Sequence, residues 1–134
     1  MKKILIFLFA IFAILAIVGC SSNAPAVAPV DSNPPNDNQV VQAKMENGLQ
    51  SATLSWGRFN YQPSTIKLKQ GVKTKLIADI DRLQGCYSSI VIPEFNVDKA
   101  FTKNDDSVEF MPDKKGSFNF ACGMGMGRGT LIVE

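Results

Sequence analysis

The segment Cys122-Gly-Met-Gly-Met126 carries the side chains with the clearest capacity for metal chemistry. One thiol and two thioethers recur there at every second position, with only glycines between them. Thiolates and thioethers are soft ligands that select monovalent copper, or a mimic such as silver, over hard cations. The chain has no histidine, so a blue-copper electron-transfer site, which needs two histidines and a cysteine, is excluded. The spacing therefore predicts a Cu(I) loop built from sulfur.

A further sulfur ligand is available upstream, at Cys86. In an extended segment Cys122, Met124 and Met126 project to one side, and the intervening glycines allow positive φ values, so the loop can curl around a small ion. Cys86 becomes the fourth ligand if its strand lies beside the strand that carries Phe120. Because thiols must lose their protons to bind metal, the affinity is expected to fall at low pH.

Other roles for the same residues remain open. Outside the cytoplasm two cysteines usually form a disulfide, and a Cys86–Cys122 crosslink would stabilise a structural surface β-sandwich that binds no metal. Met124 and Met126 would then fill gaps at the open end of the sandwich. A thiol redox protein is disfavoured, because the two cysteines lack the Cys-x-x-Cys spacing that tunes such chemistry.

The N-terminus has the features of an export signal. Lys2 and Lys3 precede an apolar run from Ile4 to Val18, about 15 residues, which is shorter than the roughly 20 that a spanning helix needs. The run leads into Gly19-Cys20, which resembles the lipobox of bacterial lipoproteins, where cleavage precedes a lipidated cysteine. Residues 1–19 are therefore interpreted as a lipoprotein signal peptide, and the protein as extracytoplasmic and membrane-anchored through Cys20. An uncleaved membrane helix is the alternative interpretation.

Composition divides the remaining chain into a tether and a domain. Residues 20–48 are rich in Pro, Ser, Asn and Ala and contain no aromatic residue, so they cannot bury enough apolar surface to offset the entropy of ordering. They are predicted to be a disordered tether behind the lipidated Cys20. Residues 49–134 are numerous enough for one hydrophobic core and are predicted to be a single domain, which we expect to be monomeric.

Charge and motifs give no indication of nucleic-acid binding or catalysis. The chain has 14 Lys and Arg against 12 Asp and Glu, and the two numbers are equal once Lys2 and Lys3 of the signal peptide are removed. Such a balance does not point to a nucleic-acid partner. The sequence also has no GxSxG, HExxH or phosphate-binding motif, so we expect that the protein is not an enzyme.

Short alternating segments predict an all-β domain. Apolar and polar residues alternate over 50–56, 66–69 and 72–80, and the last two segments are interpreted as a hairpin. Further strands are predicted over 86–92, around Val108 and Phe110, over 118–122 and over 130–134. About six to eight short strands without helical periodicity indicate a two-sheet β-sandwich.

Several of these segments together resemble a known family. They are Tyr61-Gln-Pro-Ser-Thr-Ile66, Gly85-Cys86, Ile90-Val-Ile-Pro93, Glu109-Phe-Met-Pro112, Gly116-Ser-Phe-Asn-Phe120 and Cys122-Gly-Met-Gly-Met126-Gly-Arg-Gly129. The pattern is similar to the cupredoxin-like heavy-metal-binding domain that accompanies copper-exporting P-type ATPases and also occurs as a membrane-anchored copper chaperone.

The resemblance implies a fold, a ligand set and a function. It implies a Greek-key β-sandwich in which Cys86, Cys122, Met124 and Met126 hold Cu(I), either as one ion or as a thiolate-bridged two-copper cluster. It also implies a role in copper sequestration or transfer, with a copper-exporting P-type ATPase or another copper carrier as the partner.

Overall fold

Two β-sheets make up residues 39–134, the part of the chain that the computed structural model describes. Their strands are β1 Val40–Gln42, β2 Lys44–Glu46, β3 Leu49–Trp56, β4 Tyr61–Gln62, β5 Thr65–Leu68, β6 Thr74–Ala78, β7 Ser89–Ile92, β8 Val97–Ala100, β9 Ser107–Phe110, β10 Gly116–Ala121 and β11 Arg128–Val133. Short 3-10 helices span Gly85–Ser88 and Pro93–Phe95, before and after β7. Within this described part, no helix has the length and apolar character needed to cross a membrane.

The strand orders identify a sandwich. The first sheet has the order β1-β5-β11-β10-β7-β8, and the second has the order β2-β3-β6-β9, with β4 paired to the far end of β3. The β1–β5, β5–β11 and β3–β6 pairs are parallel, and the other pairs are antiparallel. The predicted all-β sandwich is confirmed, with more strands than the expected six to eight because β1, β2 and β4 have only two or three residues each.

The hydrophobic core contains residues from both sheets. Burial alternates along β5, β6 and β7, as expected when successive side chains point to opposite faces of a strand. The fully buried members include Leu54 and Leu76 of the second sheet and Ile66, Ile90 and Leu131 of the first. The alternation visible in the sequence is therefore the pattern that builds this core.

Gln50, a fully buried polar residue, fixes the connection between the sheets. Its Nε2 lies 2.9 Å from the Lys69 carbonyl, 3.0 Å from the Val72 carbonyl and 2.8 Å from Thr74 Oγ1, while its Oε1 accepts from the Lys69 amide at 2.8 Å. These bonds hold β3 against the chain that passes from β5 to β6. Since β5 and β6 belong to different sheets, the predicted hairpin between them is wrong.

The folded domain begins earlier than predicted. β1 and β2 lie within residues 20–48, and they pair with β5 and β3, while Ala43 between them is buried. The interpretation of that whole segment as a disordered tether is therefore corrected for residues 40–48. Three-residue strands carry too little alternation to be recognised, since the strands they pair with stabilise them. The predicted signal peptide, Cys20 and the remaining tether lie outside the described residues.

Candidate metal centre

Cys122 follows β10 directly and begins the loop that leads to β11. Two backbone hydrogen bonds close this loop: the Cys122 amide donates to the Gly127 carbonyl at 3.0 Å, and the Gly125 amide donates to the Cys122 carbonyl at 2.8 Å. Gly125 has φ of 71°, in the left-handed region that glycine adopts without steric cost. The chain therefore curls back on itself over residues 122–127, as the sequence predicted.

The Cys122 sulfur is buried among backbone amides. Its side chain is only 2% exposed, and the Gly127 amide donates to Sγ at 3.3 Å. Burial raises the pKa of this thiol, but the Gly127 amide, the nearby Met124 and Met126 amides and the Cys86 side chain together lower it by more, so the pKa lies below its ordinary value. The loop thus favours the thiolate, which is the form that binds metal.

Cys86 lies near Cys122, although it belongs to a different segment of the chain. It lies half-buried in the 3-10 helix Gly85–Ser88, so the predicted strand begins at Ser89 and not at Cys86. β7 pairs with β10 through Val91 and Ala121, as expected for neighbouring segments. The Cys86 side chain lies close enough to Cys122 to lower the pKa of the Cys122 thiol, and both residues are free cysteines. The structure therefore brings the two thiols together without the alternative disulfide.

Ser89, the first residue of β7, links the two cysteine-bearing segments. Its hydroxyl donates to the Cys86 carbonyl at 3.0 Å and accepts from the Gly123 amide at 3.1 Å. Sequence reasoning missed this residue, because a serine at the start of a β-branched run has no distinctive signal. Its position three residues after Cys86 is the only hint.

Tyr61, which the sequence analysis named within a family segment without giving it a role, supports the segment after Cys86. It is fully buried, and its hydroxyl lies 2.6 Å from the Ser89 carbonyl and 3.1 Å from the Tyr87 carbonyl. Burial, followed by the negative charge of Cys122 and Cys86, raises the pKa of Tyr61. Tyr61 consequently stays protonated and able to donate its hydrogen bond.

An aromatic pair stands beside Cys86. The rings of Trp56 and Tyr87 stack with their centroids 3.5 Å apart, and Trp56 meets Tyr61 edge-to-face at 5.5 Å. Burial and the nearby Cys86 and Cys122 side chains raise the pKa of the Tyr87 hydroxyl. The thiols are thus bordered by neutral aromatic side chains.

Met124 and Met126 differ from the cysteines in their exposure. Their side chains are 72% and 57% exposed, on the loop that encloses Cys122. This exposure does not agree with the alternative interpretation, in which they fill gaps at the open end of the sandwich. The predicted sulfur residues therefore occupy two adjacent segments, with Cys122 buried, Cys86 half-buried and the thioethers open to solvent.

Position 127 of this loop has no room for any side chain, so it requires glycine. A Cβ atom there would lie 2.8 Å from Tyr61 Cε2 and 2.9 Å from Trp56 Cζ3, closer than real contacts allow. Of the three loop glycines that allow a positive φ, only Gly125 adopts one. Arg128 then fixes the loop exit: its Nε donates to the Gly125 carbonyl at 3.1 Å and its amide to Asn60 Oδ1 at 2.7 Å.

The chemistry of the donors decides which ions fit. Among residues 39–134 no group of three or more His, Cys, Asp or Glu side chains could hold a metal. Two thiols with two thioethers suit a soft monovalent ion instead.

Comparison with known proteins identifies relatives of the chain. A sequence model of the cupredoxin-like domain matches residues 7–133. The metal-binding domain of the Cu(I)-exporting P-type ATPase CopA from Streptococcus pneumoniae D39, solved with Cu(I), is similar at 26% identity and a TM-score of 0.63. A copper-binding protein solved in the apo form is similar at 34% identity and a TM-score of 0.62. Each match covers 72% of this chain and 97% of the solved chain. No curated protein matches the sequence.

Proposed function

Because the chain belongs to the cupredoxin-like domain family, we propose that it is a copper protein that holds Cu(I) through Cys86, Cys122, Met124 and Met126. It would be anchored outside the cytoplasm by a lipid on Cys20 and would sequester copper or transfer it to another carrier. In this role the metal is cargo, and the protein is not an enzyme.

The observation that carries the proposal is the proximity of two free thiols, Cys86 and Cys122, beside a loop that carries two exposed methionines. The Cys86 side chain lowers the pKa of the Cys122 thiol, and the Gly127 amide donates to Cys122 Sγ at 3.3 Å, which favours the thiolate. Cu(I) prefers thiolate and thioether ligands, and silver shares this preference. Two relatives with the same fold are described as copper-binding, one of them with Cu(I), which supports copper as the ion.

The exposed methionines support a role in transfer. Met124 and Met126 are accessible to ligands of another protein, whereas Cys122 is buried. A soft ion can leave such a site by stepwise ligand replacement, with the accessible thioethers exchanged first, so that no free ion is released. We propose a copper-exporting P-type ATPase or another copper carrier as the partner, and a monomer as the acting form.

A competition titration tests this function. The reduced full chain is titrated with Cu(I) against a chromogenic chelator, beside the double variant C86S/C122S. We expect tight binding by the unmodified chain, loss of that binding in the double variant, and a stoichiometry that distinguishes one ion from a two-copper cluster. Equal affinities in the two proteins would refute the proposal.

The alternative function, a structural sandwich with a Cys86–Cys122 disulfide, predicts a different result. Protein isolated without reductant would then contain the disulfide by mass spectrometry, keep it in mild reductant and bind no metal. The free thiols of the structure favour the copper site.

A further inference from the structure

The hydroxyl of Ser89 uses both of its hydrogen-bonding functions between the two thiol-bearing segments. Its proton is donated to the Cys86 carbonyl at 3.0 Å, and its oxygen accepts the Gly123 amide proton at 3.1 Å. One hydroxyl has one donor and two acceptor sites, so it can make both bonds at once. The 3-10 helix of Cys86 is thereby tied to the residue that follows Cys122.

The backbone of Ser89 is itself held in place. Its carbonyl accepts from the fully buried hydroxyl of Tyr61 at 2.6 Å, and β7 pairs with β10 and β8 on either side. Ser89 is therefore a fixed point next to two less regular segments, a single 3-10 turn and an exposed glycine loop.

We propose that Ser89 is a positioning residue that sets the separation of the Cys86 and Cys122 sulfurs and so raises the affinity for a soft ion. This inference rests on the proposed function and adds a residue that acts through the backbone of Cys86 and Gly123. Residues that do not bind a metal but orient its ligands by hydrogen bonds typically contribute about 10- to 100-fold to metal affinity. We expect an effect of this order from Ser89.

Ser88 provides a matched control. Its hydroxyl donates to the Gly85 carbonyl at 2.7 Å, so this bond stays within the 3-10 segment and does not reach the Cys122 loop. In the reduced full chain, we expect S89A to weaken Cu(I) binding about tenfold or more against a competing chelator. S88A and the hydroxyl-retaining S89T should remain within about twofold of the unmodified chain.

A second assay needs no metal. Diamide oxidises the two thiols to a disulfide: they lose two protons and two electrons, which the azo bond of diamide accepts as it becomes a hydrazine. If Ser89 holds the thiols together, S89A should form the Cys86–Cys122 disulfide several-fold more slowly than S88A and S89T. Should S89A fail to fold, S89V against S89T replaces the comparison, since the two differ only in a methyl for the hydroxyl.

The outcomes separate the two proposals. An S89A chain that equals S88A in disulfide formation, or that keeps full Cu(I) affinity, overturns the positioning role. An unmodified chain that binds no Cu(I) ends the proposed function, and the oxidation rates then decide the role of Ser89 by themselves.

Discussion

Cys122 and Gly127 are hydrogen-bonded to each other in both directions. The Cys122 amide donates to the Gly127 carbonyl at 3.0 Å, and the Gly127 amide donates to Cys122 Sγ at 3.3 Å. The same position of Gly127 places its α-carbon against the rings of Tyr61 and Trp56. Cys122, Gly127 and the two aromatic rings therefore form one structural unit, in which a change at Gly127 affects both the buried thiol and the aromatic packing.

Gly127→Ala should damage this unit. The added Cβ would lie 2.8 Å from Tyr61 Cε2, and overpacking of this kind costs about 1 to 3 kcal/mol. We expect that loss in the free energy of unfolding of the reduced, metal-free protein, measured in urea. Gly123→Ala is the control, because its Cβ would meet Ser89 Oγ at an ordinary 3.6 Å. Equal losses in the two variants would contradict the steric explanation.

Met124→Leu and Met126→Leu should separate metal binding from stability. The side chains are 72% and 57% exposed, so the free energy of unfolding should change by less than about 0.5 kcal/mol. Each substitution removes a soft ligand, and we expect Cu(I) affinity to fall by about tenfold, or about 1.4 kcal/mol.

Two other exposed methionines provide the control for this experiment. Met111 and Met45 are 50% and 45% exposed and lie outside the Cys122 loop. Leucine at either position should leave the affinity unchanged in the same competition assay. A loss equal to that of Met124→Leu would exclude a specific thioether ligand.

The lowered pKa of Cys122 should make the stability of the reduced, metal-free domain depend on pH. A thiolate favoured by folding contributes stability that is fully present above the ordinary thiol pKa of 9.0 and is lost as pH falls through the lower folded pKa. The free energy of unfolding should therefore rise with pH across this window. Urea unfolding at a series of pH values with reductant measures it.

Cys122→Ser is the control for the pH dependence, since its hydroxyl does not titrate in this window. The rise should disappear in this variant. The measurements stay below the ordinary tyrosine pKa of 10.0, because the raised pKa of Tyr61 makes folding less favourable above it. An unchanged slope in Cys122→Ser would assign the dependence to other groups.

Gln50→Ala should destabilise the connection between the sheets. The substitution leaves the Lys69 amide and the buried Thr74 hydroxyl without their Gln50 partner, which costs roughly 2 to 3 kcal/mol. Gln42→Ala, which removes an exposed 3.1 Å bond to the Lys67 carbonyl, should cost less than about 0.5 kcal/mol. Similar urea midpoints for the two variants would show that the buried hydrogen bonds of Gln50 contribute no more stability than the exposed bond of Gln42.

Cys20→Ala should release the protein from the membrane. We expect the unmodified chain to fractionate with membranes and to incorporate a clickable fatty acid, because acyl chains provide the anchor. The variant should lose the label. A variant that remained membrane-bound would indicate the alternative anchor, an uncleaved N-terminal helix.

The sequence alone was sufficient to predict the all-β class. Alternation of apolar and polar residues over 50–56 and 66–69 is a local property of each strand, because side chains point to opposite faces at every second residue. The soft-metal character of the candidate site could also be inferred from composition, since ligand chemistry depends on residue type. The absence of histidine and the Cys-x-Met-x-Met spacing need no coordinates.

Only the tertiary structure decided which distant segments meet. The pairing of β7 with β10 brings Cys86 to Cys122, and nothing in either segment encodes that partner locally. The hydrogen bond between the Ser89 hydroxyl and the Gly123 amide joins residues far apart in the chain. The rings that leave no room for a side chain at Gly127 also come from a distant segment. Such contacts arise from strand pairing within a sheet and from packing between the sheets, and both depend on the whole chain at once.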